Sequence, residues 1–381
     1  MSAVQHKPRI EVLRVGEEHA EPLAEFYRAV WSRDAVASGV RAARAAAAAA
    51  NPVEPGADIP AFAFLSDGKV LGYIGTVPTR FWNGTAEHRA HWFKGFMVLP
   101  EFQGGPVGHA VLKEAIRQLG LTAVMTVALP SRRLFKALGF RDHGAIGNYV
   151  ALLRPGRVLR ALDLEALGIG VVPPGAIRAL KLAQRSGLPG VAGVLGGAAL
   201  ALWRATVARS GVATVEEMPT VAELDELWKS VRPGLAGAAV RDGAYIRWRY
   251  GASRGDGYAV IAARPGGQLA GIAAVRRPAE ESDPRLRGIR VATLSDVLFP
   301  TSRRDVALAL LAAAERTARD MGADALLCTA SHPSVTSLLP RRAYVKLPGN
   351  VHFLVRDPGD AHATAATLVD WWVTRGDGDS D

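Results

Sequence analysis

The chain has one cysteine, Cys328, among its 381 residues. No internal disulfide can form, and no Cys/His group has the spacing of a zinc site, so no metal is expected. Such cysteine usage fits a reducing, cytoplasmic setting. The opening residues, "MSAVQHKPRIEVLRVGEEHAEPL", hold no apolar core of a secretory signal, and none is expected. Long uncharged runs are also scarce. Gly187 to Trp203 is 17 uncharged residues, near the lower limit for a membrane span, and Pro189 and four further glycines interrupt it. It reads either as linker helix packed on the domains or as a peripheral membrane contact. There is no G-x-S-x-G elbow, no P-loop and no H-E-x-x-H. The closing "GDGDSD" lacks the length and final glutamate of a calcium loop and reads as a solvated tail. The net charge of +10 is scattered, with no arginine-rich block and no aromatic-plus-basic module, so nucleic acid is not an expected partner.

What is present is globular: 49% apolar and 22% charged residues, at a length that suggests two domains. "IEVLRV" reads as a strand and "EEHAEPLAEFYRAVWSRD" as an amphipathic helix. "RAARAAAAAA" (41–50) is a strong helix former stopped by "NPVEPG". Two β-rich runs flank Asp67-Gly68, a hairpin signal, and "AHWFKGFMVLP" adds a strand. An apolar strand, a short helix and a last strand, "IGNYVALLRP", close a first unit at Pro155. After a Gly/Ala/Leu-rich stretch the pattern returns. "YAVIAARPGGQLAGIAAVRRP" repeats the hairpin, "GIRVATLSDVLFP" repeats the strand ending in proline, and the helix, strand and short helix follow in order. The expected layout is 1–155, a helical linker at 156–215, and a second copy at 216–381.

One stretch carries the chemistry. "FMVLPEFQGGPVGHAVLKEA" (96–115) is an apolar strand, a proline stop, a glycine-rich bend and a helix. Such a bend turns backbone N–H groups toward one point at a helix N-terminus, which suits a phosphate-bearing ligand. Val98-Leu99-Pro100 followed by Gln103-Gly104-Gly105-Pro106-Val107-Gly108, then Phe135-Lys136-Ala137-Leu138-Gly139-Phe140, resembles the paired signatures of the GCN5-related N-acetyltransferases (GNAT). The resemblance covers about residues 10–155 well and 216–358 loosely. It implies an α/β (α+β) fold with mixed sheets, here as two tandem GNAT-like domains joined by a helical linker, the second copy degenerate because "FPTSRRDVALALL" has no glycine at its bend.

It also implies acetyl- or another acyl-coenzyme A as co-substrate. Gln103, Gly104, Gly105, Val107, Gly108 and His109 would line the pyrophosphate site. Met97 and Val98 would pair with the pantetheine arm, and Phe135 would flank the thiol. Two departures matter: Pro106 stands where the family has glycine and has no N–H, and Phe135 stands where a tyrosine often protonates the leaving thiolate. The asparagine usual near that segment is replaced by Ala128.

Candidates for catalysis are His91, Ser131 and Asp296. His91 lies on the strand before Met97 and is either a base or a packed residue; Ser131 either contacts the thiol or caps a helix. Asp296, a carboxylate in an apolar strand, either pairs with Arg247 or Arg249 or activates an acceptor. "RDGAYIRWRYG" (241–251) resembles a stretch of two-copy acyltransferase-like proteins linked to polysaccharide or envelope synthesis. It offers Tyr245, Arg247, Trp248 and Arg249 either as a packed helix face or as an acceptor site. The expected function is acyl transfer to an amine or hydroxyl of a small-molecule or sugar acceptor. The alternatives are a non-catalytic acyl-coenzyme A sensor or scaffold, and a tRNA-dependent aminoacyl transferase.

Overall fold

Asp67 and Gly68 both adopt positive φ, 48° and 78°, and join two antiparallel strands at Ser66 and Lys69. This is the left-handed pair that a tight hairpin needs. The computed structural model that shows it describes residues 9–30, 50–54, 61–126, 128–161, 188–207, 211–251, 257–280 and 287–378. The predicted helix at 41–50 and the stretch 162–187 of the expected linker lie almost entirely outside the described residues. The chain divides into two units: residues up to Ala145 with Val351–Ala366, and Ile146–Asn350 with Thr367–Asp379.

In the first unit β1 (Ile10–Arg14) is followed by α1 (Ala20–Val30), the hairpin β2 (Ala61–Ser66) and β3 (Lys69–Trp82), and β4 (Glu87–Val98). Then come α2 (Pro106–Leu119), β5 (Thr122–Thr126), α3 (Leu129–Ala137) and β6 (Arg141–Ala145). The sheet runs β1-β2-β3-β4-β5, then a strand from far along the chain, His352–Arg356, then β6. Among these seven strands only the β4–β5 pair is parallel, bridged by α2. α2 buries Val107, Val111, Leu112, Ala115 and Ile116 on the face its apolar spacing predicts, and these pack with Phe62, Phe64, Ile74, Phe93 and Val98.

The second unit begins with a surprise. β7 (Gly147–Leu152), the strand expected to close the first unit, lies instead between two strands of the second sheet. α4 (Pro155–Ala161) and α5 (Leu188–Val207) follow, then β8 (Thr214–Glu216), α6 (Val221–Val231), β9 (Gly237–Ala239) and α7 (Gly243–Tyr250). β10 (Tyr258–Ala263), β11 (Gly271–Glu280), β12 (Arg290–Leu298), α8 (Arg304–Asp320), β13 (Ala325–Ala330), α9 (Pro333–Thr336) and β14 (Tyr344–Leu347) repeat the first unit's order. The sheet is β14-β7-β13-β12-β11-β10-β8, again with one parallel pair, β12–β13. β15 (His352–Arg356) is the strand already met in the first sheet, and β16 (Trp371–Trp372) pairs in parallel with β9.

Each sheet is therefore completed by a strand from the other half of the sequence. The two closing strands carry the same local information, a short apolar run that follows a short helix and one further strand, and that information says "strand" without saying which sheet. α5 is tied to the second unit. Its Arg204, 5% exposed, donates to the carbonyls of Leu152 and Arg342 and lies beside the buried Glu315–Arg342 pair. Among the described residues no helix is long and apolar enough to cross a membrane.

Candidate functional site

β4 and β5 run together only from His91/Thr122 to Phe93/Val124. β4 continues to Val98, and β5 stays paired with β15 as far as Thr126, so the two parallel strands part. A bulge in β4 helps. Tyr73 faces Met97 but Gly75 faces Lys94, which leaves one extra residue in β4, and Gly95 takes φ 62° there. Lys94–Met97 are only half-buried. Parted strands leave backbone N–H and C=O groups able to accept an extended ligand as a strand.

At the end of β4 the Gln103 amide donates to the Val98 carbonyl (3.1 Å), holding the bend. Gly104 has φ 78°, and Gly105 is the N-cap of α2 in an extended conformation, its N–H donating to Phe102 O at 3.3 Å. Pro106 is N1, where proline's fixed φ suits a helix start and an N–H has no helical partner. The departure at Pro106 thus fits the helix geometry. No side chain caps α2. The N–H groups of Val107 and Gly108 therefore open the helix without an i−4 acceptor. Gly104 and Gly105 are exposed and so is His109. Gly108 is buried; a Cβ there would meet Phe96 at 3.0 Å and Val98 at 3.3 Å, so the missing side chain lets α2 lie close to β4.

Phe135 is 1% exposed and stacks with Phe93, Phe96 and Phe140, centroids 5.0–6.3 Å apart. Its ring belongs to the core. Ser131 is half-buried in the first turn of α3, whose N-cap is Ala128, so Ser131 is not the cap that was one reading of it.

His91 is 4% exposed, on the first residue of the parallel β4–β5 pairing and about 7 Å along β4 from the point of parting. Its Nε2 lies 3.4 Å from Oε1 of Glu54, and the same carboxylate binds Arg89. Burial drives the imidazole pKa below its usual value, and Glu54 only partly offsets this, so His91 is neutral near pH 7. Burial opposes the Glu54 charge, yet Arg89 and His91 outweigh it and hold that carboxyl low. The Nδ1 of His91 is buried with no hydrogen-bond partner. Glu54 reaches this place because Asn51, fully buried, donates to Pro78 O (3.0 Å) while its Oδ1 accepts from the N–H groups of Val53 (2.8 Å) and Glu54 (3.2 Å). "NPVEPG" was legible only as a helix stop; its Asx-type turn is what delivers the carboxylate.

A second group went unforeseen. His352, opposite Thr126 on β15, contacts Asp142 through Nδ1 (3.0 Å) and Arg132 of α3 through Nε2. It stands at the β5 end where the strands have parted, and only the exchanged strand brings it there.

The second unit treats its candidates differently. Asp296 is 2% exposed and its partner is Arg241, not Arg247 or Arg249. Arg241 is fully buried and also holds Asp377 at 2.6 Å; Tyr250 and Thr374 donate to Asp296 at 3.1 and 3.2 Å. Burial disfavours the charge on Arg241, but Asp296 and Asp377 outweigh it and raise its pKa. Asp377 belongs to the stretch read as a solvated tail; it is buried instead, its carboxylate accepting from Arg241 (2.6 Å) and from the Thr374 N–H (2.8 Å). Tyr245 and Arg249 are buried in α7, Arg249 donating to Gly376 O at 3.0 Å, whereas Arg247 is exposed and Trp248 half-exposed. His332 caps α9, accepting from Ser334 N (3.2 Å), and lies 5.0 Å from Trp372. Burial pushes the Cys328 thiol up to about 12, which removes it as a nucleophile at neutral pH. Among the described residues no His, Cys, Asp or Glu cluster is grouped to hold a metal.

Residues 23–140 match the family model described as "Acetyltransferase (GNAT) family". No curated protein matches the chain. Similar solved structures include GCN5-related N-acetyltransferases from Anabaena variabilis (TM-score 0.56, 11% identity, 94% of this chain and 75% of that one) and Kribbella flavida (0.56, 14%, 94% and 74%). The Saccharomyces cerevisiae N-myristoyltransferase with bound myristoyl-CoA is also similar (0.55, 10%, 93% and 81%). At these identities the likeness is one of fold.

Proposed function

From the premise that the chain has the tandem GNAT fold and carries a GNAT-family domain at residues 23–140, we propose that its first unit transfers an acyl group from acyl-coenzyme A to an amine or hydroxyl. The observation that carries this reading is the parting of β4 from β5 directly before the glycine bend that opens α2. A pyrophosphate would lie over Gly104, Gly105 and the first N–H groups of α2, with the helix dipole favouring its charge. Met97 and Val98 would offer backbone groups to the pantetheine arm, and a bulge amide would steady the carbonyl oxygen as it gains charge.

In the step itself the acceptor nitrogen or oxygen attacks the thioester carbon. The new bond forms, the C–S bond breaks, and the sulfur leaves as thiolate. The acceptor's proton passes through water to the neutral imidazole of His91, while Glu54 holds the ring. Phe135 has no hydroxyl, so the thiolate takes its proton from solvent. Acetyl is the proposed acyl group, and a small molecule or sugar the proposed acceptor. In the second unit, Arg247 and Trp248 are the accessible members of the proposed acceptor set.

A non-catalytic acyl-coenzyme A sensor is the second reading, favoured by the core position of Phe135 and the burial of His91. Thiol release from acetyl-coenzyme A, measured across a panel of amines and hydroxyl acceptors, separates the two. Turnover that falls about 100-fold or more in His91→Ala supports transfer; tight binding without turnover on any acceptor supports the sensor.

A further inference from the structure

The second unit has the same parted pair of strands as the first. β12 and β13 run together from Val291/Ala325 to Leu294/Cys328 and then separate, and β12 carries a bulge between Leu294 and Asp296. In β4 the stretch Lys94–Met97 past the parting is half-buried; in β12 every residue from Val291 to Leu298 is buried. Something covers β12 that leaves β4 open.

The cover is the chain itself. Along β13, Ala330 bridges Thr374, the Ser331 N–H donates to Val373 O (3.1 Å), and the Val373 N–H donates to Ser331 Oγ (2.9 Å). Along β12, the Trp372 indole donates to Val297 O (3.1 Å), and Thr374 Oγ1 donates to Asp296 (3.2 Å). Gly376 lies so close that a Cβ would stand 2.9 Å from Ser295 O. The far end is fixed by charge, with Asp377 on Arg241 at 2.6 Å. Trp371 and Trp372 are each 1% exposed. A segment that is extended through Thr374, closes in a 3₁₀ turn at Arg375–Asp377, hydrogen-bonds to both parted strands and ends on a carboxylate satisfies the groups a strand-like ligand would otherwise meet.

We propose that Trp371–Asp377 is a built-in occupant of the second unit's strand cleft, so that this cleft is closed to acyl-coenzyme A and the chain takes up one molecule rather than two. The occupancy stands on the hydrogen bonds above and does not depend on acyl transfer in the first unit; only the count of one rests on that reading. It also gives the second copy's lost glycine bend a physical counterpart: a cleft filled from within has no use for a pyrophosphate cradle.

The test combines calorimetric titration of the full chain with acetyl-coenzyme A and hydrogen exchange at the Ser331 and Val373 amides. The expected result is one site, lost in Gly105→Glu, with both amides slow to exchange before and after ligand. Two sites would overturn the proposal and leave the first-unit reading standing. One site that survives Gly105→Glu while Ser331 and Val373 exchange faster would mean that ligand displaces the segment, overturning both. If nothing binds, the first-unit reading fails and the count of one falls with it; fast exchange at Ser331 and Val373 in the free chain would then overturn the occupancy as well, whereas slow exchange would uphold it.

Discussion

Nε2 of His91 and Oε1 of Glu54 stand 3.4 Å apart in the interior of the first unit, brought together by two segments 37 positions apart. The Glu54 charge raises the His91 pKa against the larger lowering by burial. Glu54→Gln is therefore expected to move the acidic limb of the kcat/KM profile to lower pH while reducing kcat. A pure stability defect would leave the limb in place.

The glycines around the start of α2 divide into two kinds. Gly72, on β3, is a packing glycine: a Cβ there would meet Val107 Cγ1 at 2.7 Å. Gly72→Ala is expected to cost about 1–3 kcal/mol in urea unfolding, through overpacking. Gly105→Ala, at the exposed N-cap of α2, is expected to cost less, up to about 1 kcal/mol, because glycine is preferred to alanine at that position.

Arg241 lies between two buried carboxylates, Asp296 and Asp377, and its single charge balances one of them; burial, helped by the neighbouring Asp296, pushes the Asp377 pKa up. Arg241→Met is expected to destabilise the second unit by roughly 3–5 kcal/mol, since a buried carboxylate loses its counter-ion. A change below about 1 kcal/mol in the denaturation midpoint analysis would contradict the network's assigned role.

His91, His332 and His362 all have pKa values lowered, by burial first, below the usual 6.5. The unfolded chain then binds more protons than the folded one as pH falls through that value. Stability is fully present above about pH 6.5 and is lost toward the folded pKa values. The urea midpoint is expected to drop between pH 7 and pH 5; a flat or rising midpoint would contradict the assignment.

Local features were legible from sequence because local residues make them. Asp67-Gly68 formed its turn, and Pro100, Gly104, Gly105 and Pro106 ended a strand and began a helix where the chain said they would. The repeat of strand, helix and strand was legible for the same reason. Partners across the fold were not. Glu54 depends on the anchoring of Asn51 to Pro78 O, His352 on a strand exchanged between sheets, and Asp377 on a buried arginine 136 positions away. A Gly/Asp run is polar in any context, and nothing in its composition marks one member as the counter-ion of Arg241.

The central claim, an acyl-coenzyme A site at the glycine bend of α2, is tested most directly by comparing acetyl-coenzyme A binding to the wild-type chain and to Gly105→Glu. The backbone at Gly105 admits any side chain, and a Cβ there meets only Phe102 O at 3.3 Å, so the variant is expected to fold and to place a carboxylate against the pyrophosphate. Affinity is predicted to fall at least tenfold, about 1.4 kcal/mol. Equal affinity in the two proteins would contradict the account.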